Sequence, residues 1–222
     1  MKKVVFALTL SSILGLFGEP LLGSHDPLHK IEKTYQDLAA WETPFEQTSH
    51  IQTLDQNFSK KGLISVNLPN RLRIAYLSEP RKIYIYNGKI LWIYNQDFGE
   101  VQEFRNPHQI LSAEALSFLG GFHNLSDFFE EIKNSRELTS PFQIKEKGLK
   151  QITLAPKDEE SPILQLVLGI DPQSFLVKEA ILANVSGNIT HYRFEDTKSK
   201  KILDPELFTL PKSAKVQIMK GN

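Results

Sequence analysis

Cysteine is absent from all 222 residues. That gap excludes a disulfide framework, a thiolate metal site and a cysteine nucleophile together. It also excludes lipid anchoring of the chain itself, since a bacterial acyl anchor needs a cysteine just after the signal. A charge excess is missing too: 26 basic residues stand against 26 acidic ones. Without residues 1–23 the balance is 24 against 25, because Lys2, Lys3 and Glu19 go with them. A nucleic-acid binder gathers basic residues on one face, and the short cluster Lys198, Lys200, Lys201 reads as a solvated turn. No apolar run reaches the ~20 residues a membrane-crossing helix requires. There is no G-x-S-x-G elbow, phosphate-binding glycine loop or dinucleotide fingerprint.

The ionisable residues offer little chemistry. His25 and His29 are four apart at a helix start, which puts both rings on one face, but no third ligand is placed to complete a metal site. Adjacent carboxylates such as Glu130-Glu131 and Glu159-Glu160 diverge on any regular element, so they read as solvated charge. No catalytic residue, metal or cofactor is expected.

What is present begins with a secretion signal: Lys2 and Lys3, an apolar run from Val4 to Phe17, and small-residue cleavage geometry after Gly18 or Gly23. The remaining residues, 24–222, fit one exported domain. Leu28, Ile31, Tyr35, Leu38 and Trp41 recur at helical spacing, with Asp26 as cap and Pro27 at the first turn, predicting a helix over 26–41. From Phe45 the period becomes two, and short runs follow at 45–51, 63–68, 72–77, 82–86, 90–94 and 100–104. Asn87-Gly88 predicts a two-residue hairpin turn. Helical stretches at 110–118 and 125–132 are split by Gly120-Gly121, and strands resume at 142–144, 152–155, 163–168, 175–183 and 189–195. These elements imply a mainly β protein with helices (α+β).

Alternation puts Ile64, Val66 and Leu68 on one face of their strand, and Leu72, Ile74 and Tyr76 on one face of the next. A curved sheet must cover such a face, either by filling it with side chains or by leaving a cavity for an apolar ligand; alternation alone is compatible with both. An acyl chain would suffice as that ligand, since each buried methylene contributes ~0.8 kcal/mol.

The stretch from Gly62 to Tyr76, then Pro80, then Tyr86-Asn-Gly-Lys-Ile-Leu-Trp-Ile-Tyr94, resembles the central pattern of the outer-membrane lipoprotein carrier (LolA) family. Ile152-Thr-Leu-Ala-Pro156 and Phe208-Thr-Leu-Pro211 with Val216 resemble its later motifs. The resemblance implies an incomplete antiparallel β-barrel with a helical lid. It implies a periplasmic monomer that holds the acyl chains of lipoproteins, taking them from an inner-membrane export complex to an outer-membrane receptor. On that reading Ile64, Val66, Leu68, Leu72, Ile74, Tyr76, Ile85 and Trp92 contact acyl chains, and Leu111, Leu116, Phe118, Phe122 and Phe128 belong to the lid. The chain departs from the pattern at Leu68, where the family carries an arginine thought to latch the lid, so an apolar lid contact is expected there. The alternative on the same scaffold is an envelope module that senses lipid or binds a protein partner.

Overall fold

The computed structural model describes residues 26–107, 111–133, 141–211 and 215–218; the expected secretion signal lies outside them. Helix α1 (Pro27–Leu38) starts as expected, with Asp26 Oδ1 accepting from the Leu28 N–H at 3.0 Å and Pro27 in the first turn. It ends one turn early, because Ala39 adopts φ 58° and the chain enters β1 (Ala40–Ile51). Trp41 is therefore a strand residue, not the last residue of the helix.

Strand β1 forms a long hairpin with β2 (Gln56–Asn67), followed by β3 (Arg71–Tyr76), β4 (Lys82–Tyr86), β5 (Leu91–Asn95) and β6 (Glu100–Phe104). The β4–β5 connection is longer than the expected two-residue turn: Tyr86 pairs with Leu91, which leaves residues 87–90 as the loop. Asn87 still directs it, since its Oδ1 accepts from the N–H groups of Lys89 (3.0 Å) and Ile90 (2.9 Å) while Gly88 takes φ 94°.

Two short helices follow, α2 (Ala113–Leu119) and α3 (Leu125–Phe128), then β7 (Phe129–Glu131), β8 (Lys150–Pro156), β9 (Ile163–Ile170), β10 (Val177–Asn184), β11 (Ile189–Phe194), β12 (Lys198–Lys200), a 3₁₀ turn (Pro205–Phe208) and β13 (Lys215–Ile218). The second expected helix, 125–132, is cut short at Phe128, because Phe129 pairs with Pro156 and Glu131 with Leu154. The expected strand at 142–144 is irregular chain.

The sheet runs β13-β6-β5-β4-β3-β2-β1-β11-β10-β9-β8-β7, with β12 added to β1 beyond the end of β11. Every pairing is antiparallel except β13 with β6. Its outermost strands, β13 and β7, do not pair with each other, so the barrel is incomplete. No helix among the described residues is long and apolar enough to cross a membrane.

Both faces of the sheet are buried. The helices cover one face, where the largest core cluster gathers residues from α1, the central strands, α2, α3 and β8 to β11. On the opposite face of β3, β4 and β5, Leu203, Leu207, Phe208 and Leu210 cover Ala75, Ile83, Ile85, Trp92 and Tyr94. Farther along that face, Phe142 and Ile144 pack on Val167, Ile181, Ala183 and Ile189. The carboxylate of Glu179 ties this cover down, accepting from the backbone N–H of Glu146 at 2.8 Å and meeting His191 Nε2 at 2.7 Å.

Gly62 shows how tightly the central strands pack. A Cβ placed there would lie 2.5 Å from the Phe45 ring and 2.6 Å from the carbonyl oxygen of Ala75. The backbone oxygen has no rotamer with which to yield. Gly62→Ala is therefore expected to destabilise the fold by about 1–3 kcal/mol, read as a lowered urea midpoint with an unchanged m-value.

Candidate functional site

Strand register stacks the helix-covered face into cross-strand rows. Trp41, Val66, Leu72 and Tyr86 form one row, and Thr43, Ile64, Ile74 and Tyr84 the next. Phe194, Phe45, Gly62 and Tyr76 form the third. The Phe45 ring occupies the space that Gly62 leaves empty and meets Tyr76 edge-on at 5.6 Å between centroids. Beyond this row the face turns polar: Tyr76 Oη donates to Gln47 Oε1 at 2.8 Å, Gln47 Nε2 donates to Ser49 Oγ at 3.0 Å, and Ser49 meets Thr190 at 3.0 Å. The apolar stretch is thus floored by a polar ladder toward the β1–β2 tip and roofed by helices at the other end.

The roof follows from local sequence. Ser112 Oγ caps α2 by accepting from the Ala115 N–H at 3.2 Å. The helix ends in a Schellman arrangement, with Gly120 as C-cap, Gly121 at φ 124° and the Phe122 N–H donating to the Ser117 carbonyl at 3.2 Å. Glycine suits position 121 twice over, because an added Cβ would also lie 3.1 Å from Val66 Cγ1, 3.6 Å from Trp41 and 3.7 Å from Leu68 Cδ2. The reversal drives Phe122, itself at φ 59°, into the core. Its ring lies 4.7 Å from Tyr35, 5.4 Å from Phe118, 5.8 Å from Phe194 and 6.4 Å from Trp41, centroid to centroid. A bulky residue in the left-handed region costs about 1–2 kcal/mol, which this aromatic burial offsets.

The structure brings together most of the residues selected from sequence. Ile64, Val66, Leu72 and Ile74 are buried in the same cluster as Phe118 and Phe122, and Leu68, Tyr76 and Phe128 pack against it. Leu68 stands beside the Gly121 turn, with its Cδ2 3.7 Å from where a Cβ on Gly121 would lie. Leu116 lines the crevice between α2 and the sheet, whereas Leu111 precedes the Ser112 cap and lies outside α2.

Ile85 and Trp92 need correction. Ile85 pairs with Arg73 and Trp92, so all three occupy the opposite face, where Ile85 and Trp92 join the cluster under the C-terminal segment. Trp92 Nε1 donates to Glu103 at 3.0 Å, a cross-strand tie. The residues that complete the helix-covered face in β4 are Tyr84 and Tyr86. Register could have found them, since they lie across from Ile74 and Leu72.

Sequence reasoning also missed Glu32. It is buried on α1, and its Oε1 accepts from the Ser126 N–H at 2.6 Å. Its signal is a charge set within the apolar stripe of Leu28, Ile31 and Tyr35.

Beneath the helices the described side chains pack closely against one another. The crevice beside the roof, lined by Pro69, Arg71, Leu72, Tyr86, Leu116 and His123 among others, holds about 160 Å³, below the ~300 Å³ at which small-molecule sites begin. Burial pushes the phenols of Tyr35, Tyr76 and Tyr192 well above their ordinary range, so all three remain neutral; Tyr35 Oη accepts from the Val177 N–H at 3.2 Å. Among the described residues, Trp41 Nε1 and His123 Nδ1 are buried without a hydrogen-bond partner. Burial holds the His123 imidazole below its usual range, partly countered by the carboxylates of Glu32 and Asp127.

The family model for the outer membrane lipoprotein carrier protein LolA matches residues 36–211. An outer-membrane lipoprotein carrier protein from Nitrosomonas europaea is 26% identical over 213 residues, covering 94% of each chain. Another, from Methylococcus capsulatus, is 27% identical over 157 residues, covering 71% of this chain and 70% of that protein. An uncharacterized conserved protein of known crystal structure from Thermus thermophilus shares the fold, with a TM-score of 0.53 at 10% identity, covering 87% of this chain and 97% of that one.

Two measurements probe this packing. Phe122→Ala is expected to destabilise the fold by about 3–5 kcal/mol in urea denaturation, because a cavity opens among four rings. For His123, whose folded pKa is depressed, the unfolded chain takes up its proton first as pH falls through ~6.5. Stability should therefore decline below about pH 7, and His123→Gln should lose less stability between about pH 7.5 and 5.5 than the native protein does.

Proposed function

We propose, from the premise that the chain belongs to the LolA family of outer membrane lipoprotein carrier proteins, that it is a periplasmic carrier for acylated lipoproteins. It would receive cargo from an inner-membrane export complex and pass it to an outer-membrane acceptor. The observation that carries this reading is the helix-covered face: one continuous apolar surface on the sheet, covered partly by Phe118, Phe122 and their neighbours from a short helical hairpin.

The chemistry required is burial rather than reaction. When the roof lifts, Leu68, Leu72, Ile74, Val66 and Ile64 present an apolar wall, with Tyr76, Tyr84 and Tyr86 along it. A hydrocarbon chain laid there gains ~0.8 kcal/mol for each methylene removed from water. Because the crevice beside the roof holds only about 160 Å³, part of that gain is offset by the lid contacts that must be given up. Binding is then reversible, which suits a carrier that must release its cargo to a tighter acceptor.

The test is direct. Protein purified from the envelope and examined by native mass spectrometry should carry acylated lipoprotein. In vitro, Leu68→Glu should weaken binding of a dipalmitoylated lipopeptide by about tenfold or more, because a carboxylate would line the apolar site. Phe98→Glu, on an exposed loop at the far end of the sheet, should leave binding unchanged. Failure of the native protein to bind the lipopeptide, together with a stable complex with a signalling protein, would replace the carrier with an envelope sensor.

A further inference from the structure

The face of the central strands that points away from the helices holds a charge with no bonded partner. Register sets Glu42, Ser65, Arg73, Ile85 and Trp92 in one row across β1 to β5. Ser65 Oγ donates to Glu42 Oε1 at 2.8 Å, so the carboxylate two strands from Arg73 is already engaged. Among the described residues the Arg73 guanidinium makes no hydrogen bond or ion pair, although the residue is half-buried. Burial holds this group below its ordinary range, partly countered by the charge of Glu42. A guanidinium carries five N–H donors, and one that is desolvated and unpaired costs free energy that a bound anion would recover.

Arg73 opens onto a cavity of about 490 Å³, walled by Ile83 and Ile85 from β4 and by Leu207, Leu210 and Pro211 from the C-terminal segment. Unlike the crevice beside the helices, this space falls within the ~300–1,000 Å³ range of small-molecule sites. Its outer wall is fixed in place. Leu203 and Phe208 are buried in one cluster with Ala75, Ile83 and Ile85. The 3₁₀ turn satisfies its own polar groups, with Asp204 Oδ1 accepting from the Glu206 N–H at 2.9 Å and Thr209 Oγ1 donating to the Glu206 carbonyl at 2.9 Å. Closing Leu207 and Leu210 onto Arg73 would strip water from a guanidinium without replacing it, so the segment stands off the sheet there. Asp204 and Glu206 are exposed and line the solvent side of the same cavity. A cation at the base, apolar walls and two carboxylates at the mouth thus follow one another outward from the sheet.

We propose that this cavity binds a short apolar peptide with both ends free, its carboxylate on Arg73, its side chains among Ile83, Ile85, Leu207 and Leu210, and its ammonium toward Asp204 and Glu206. A dipeptide carries those three features in that order. A purely apolar ligand would leave Arg73 unpaired, and a dianion such as a phosphate ester would be repelled by the acidic mouth. The site lies on the face of the sheet opposite the carrier face, so it does not depend on the carrier reading.

Nuclear magnetic resonance of the ¹⁵N-labelled protein provides the test, with leucyl-leucine as the probe. Titration is expected to shift the Arg73 Nε–Hε signal and the amides of Ile83, Ile85 and Leu207 to Leu210, with a Kd on the order of 1 mM or tighter. The amides of Leu72 and of Leu116 to His123 should not move. Leucyl-leucinamide, which lacks the carboxylate, should bind at least about tenfold more weakly. Arg73→Gln should weaken leucyl-leucine by about the same factor, with its urea midpoint read as the check on folding. Lys33→Gln, which removes an exposed charge on α1, should leave binding unchanged. If Arg73→Gln does not fold, the peptide and its amide compared on the native protein still decide the matter. N-acetyl-leucyl-leucine should bind a few-fold more weakly than the free peptide, since exposed charges at the mouth contribute little. Equal binding of the acetylated form would make the occupant the C-terminus of a longer chain and overturn the free peptide. Three results would overturn the site itself: no shift up to about 10 mM peptide, equal binding of acid and amide, or shifts confined to Leu116 to His123.

Discussion

The wedge of Phe122 among Tyr35, Trp41, Phe118 and Phe194 is the contact on which the rest of the helix-covered face depends. An apolar sheet face cannot be left open to water, and the β-strands cannot cover it themselves while the barrel stays incomplete. The cover must come from elsewhere in the chain. A glycine pair ending α2, followed by an aromatic residue forced to positive φ, supplies it in a few residues. Those residues are joined to α2 by backbone bonds from the Gly120 N–H to the Leu116 carbonyl and from the Phe122 N–H to the Ser117 carbonyl, and by the ring contact of Phe122 with Phe118.

The opposite face of the sheet has covers of its own. Leu203, Leu207, Phe208 and Leu210 on one side of the molecule, and Phe142 and Ile144 on the other, bury the outward residues of β3 to β5 and β9 to β11. The pair of Glu179 with His191, and the backbone amides that Glu179 accepts, fix the second of these covers with charge-assisted bonds. The frame is thus held from behind.

Much of the fold was legible in sequence. β4 and β6 fall where alternation predicts them, the meander from β2 to β6 follows from its turn residues, and the Gly120-Gly121 break divides the helical segment as expected. Boundaries failed where tertiary pairing outweighed local periodicity. Trp41 completes a helical stripe but pairs with Val66 as a strand residue, and Phe129 to Glu131 read as helix but add an edge strand to β8. Ile85 and Trp92 went to the wrong face for a related reason. In Lys82-Ile-Tyr-Ile-Tyr86 both alternating sets are apolar enough to be buried, and here both are at least partly so, so hydrophobicity favoured the isoleucines where register demanded the tyrosines.

By itself, then, the sequence determined the exclusion of thiol chemistry, the strand-rich order of elements, the apolar set at Ile64, Val66, Leu72 and Ile74, and the family, because each depends on residue type at short spacing. Tertiary structure alone decided which face of β4 joins that set, that Phe122 turns into the core after the glycine pair, and that Glu32 reaches across 94 positions to the Ser126 amide. Those facts depend on contacts between segments distant along the chain, whose geometry is set by register and by how the helices land, and no local pattern encodes either.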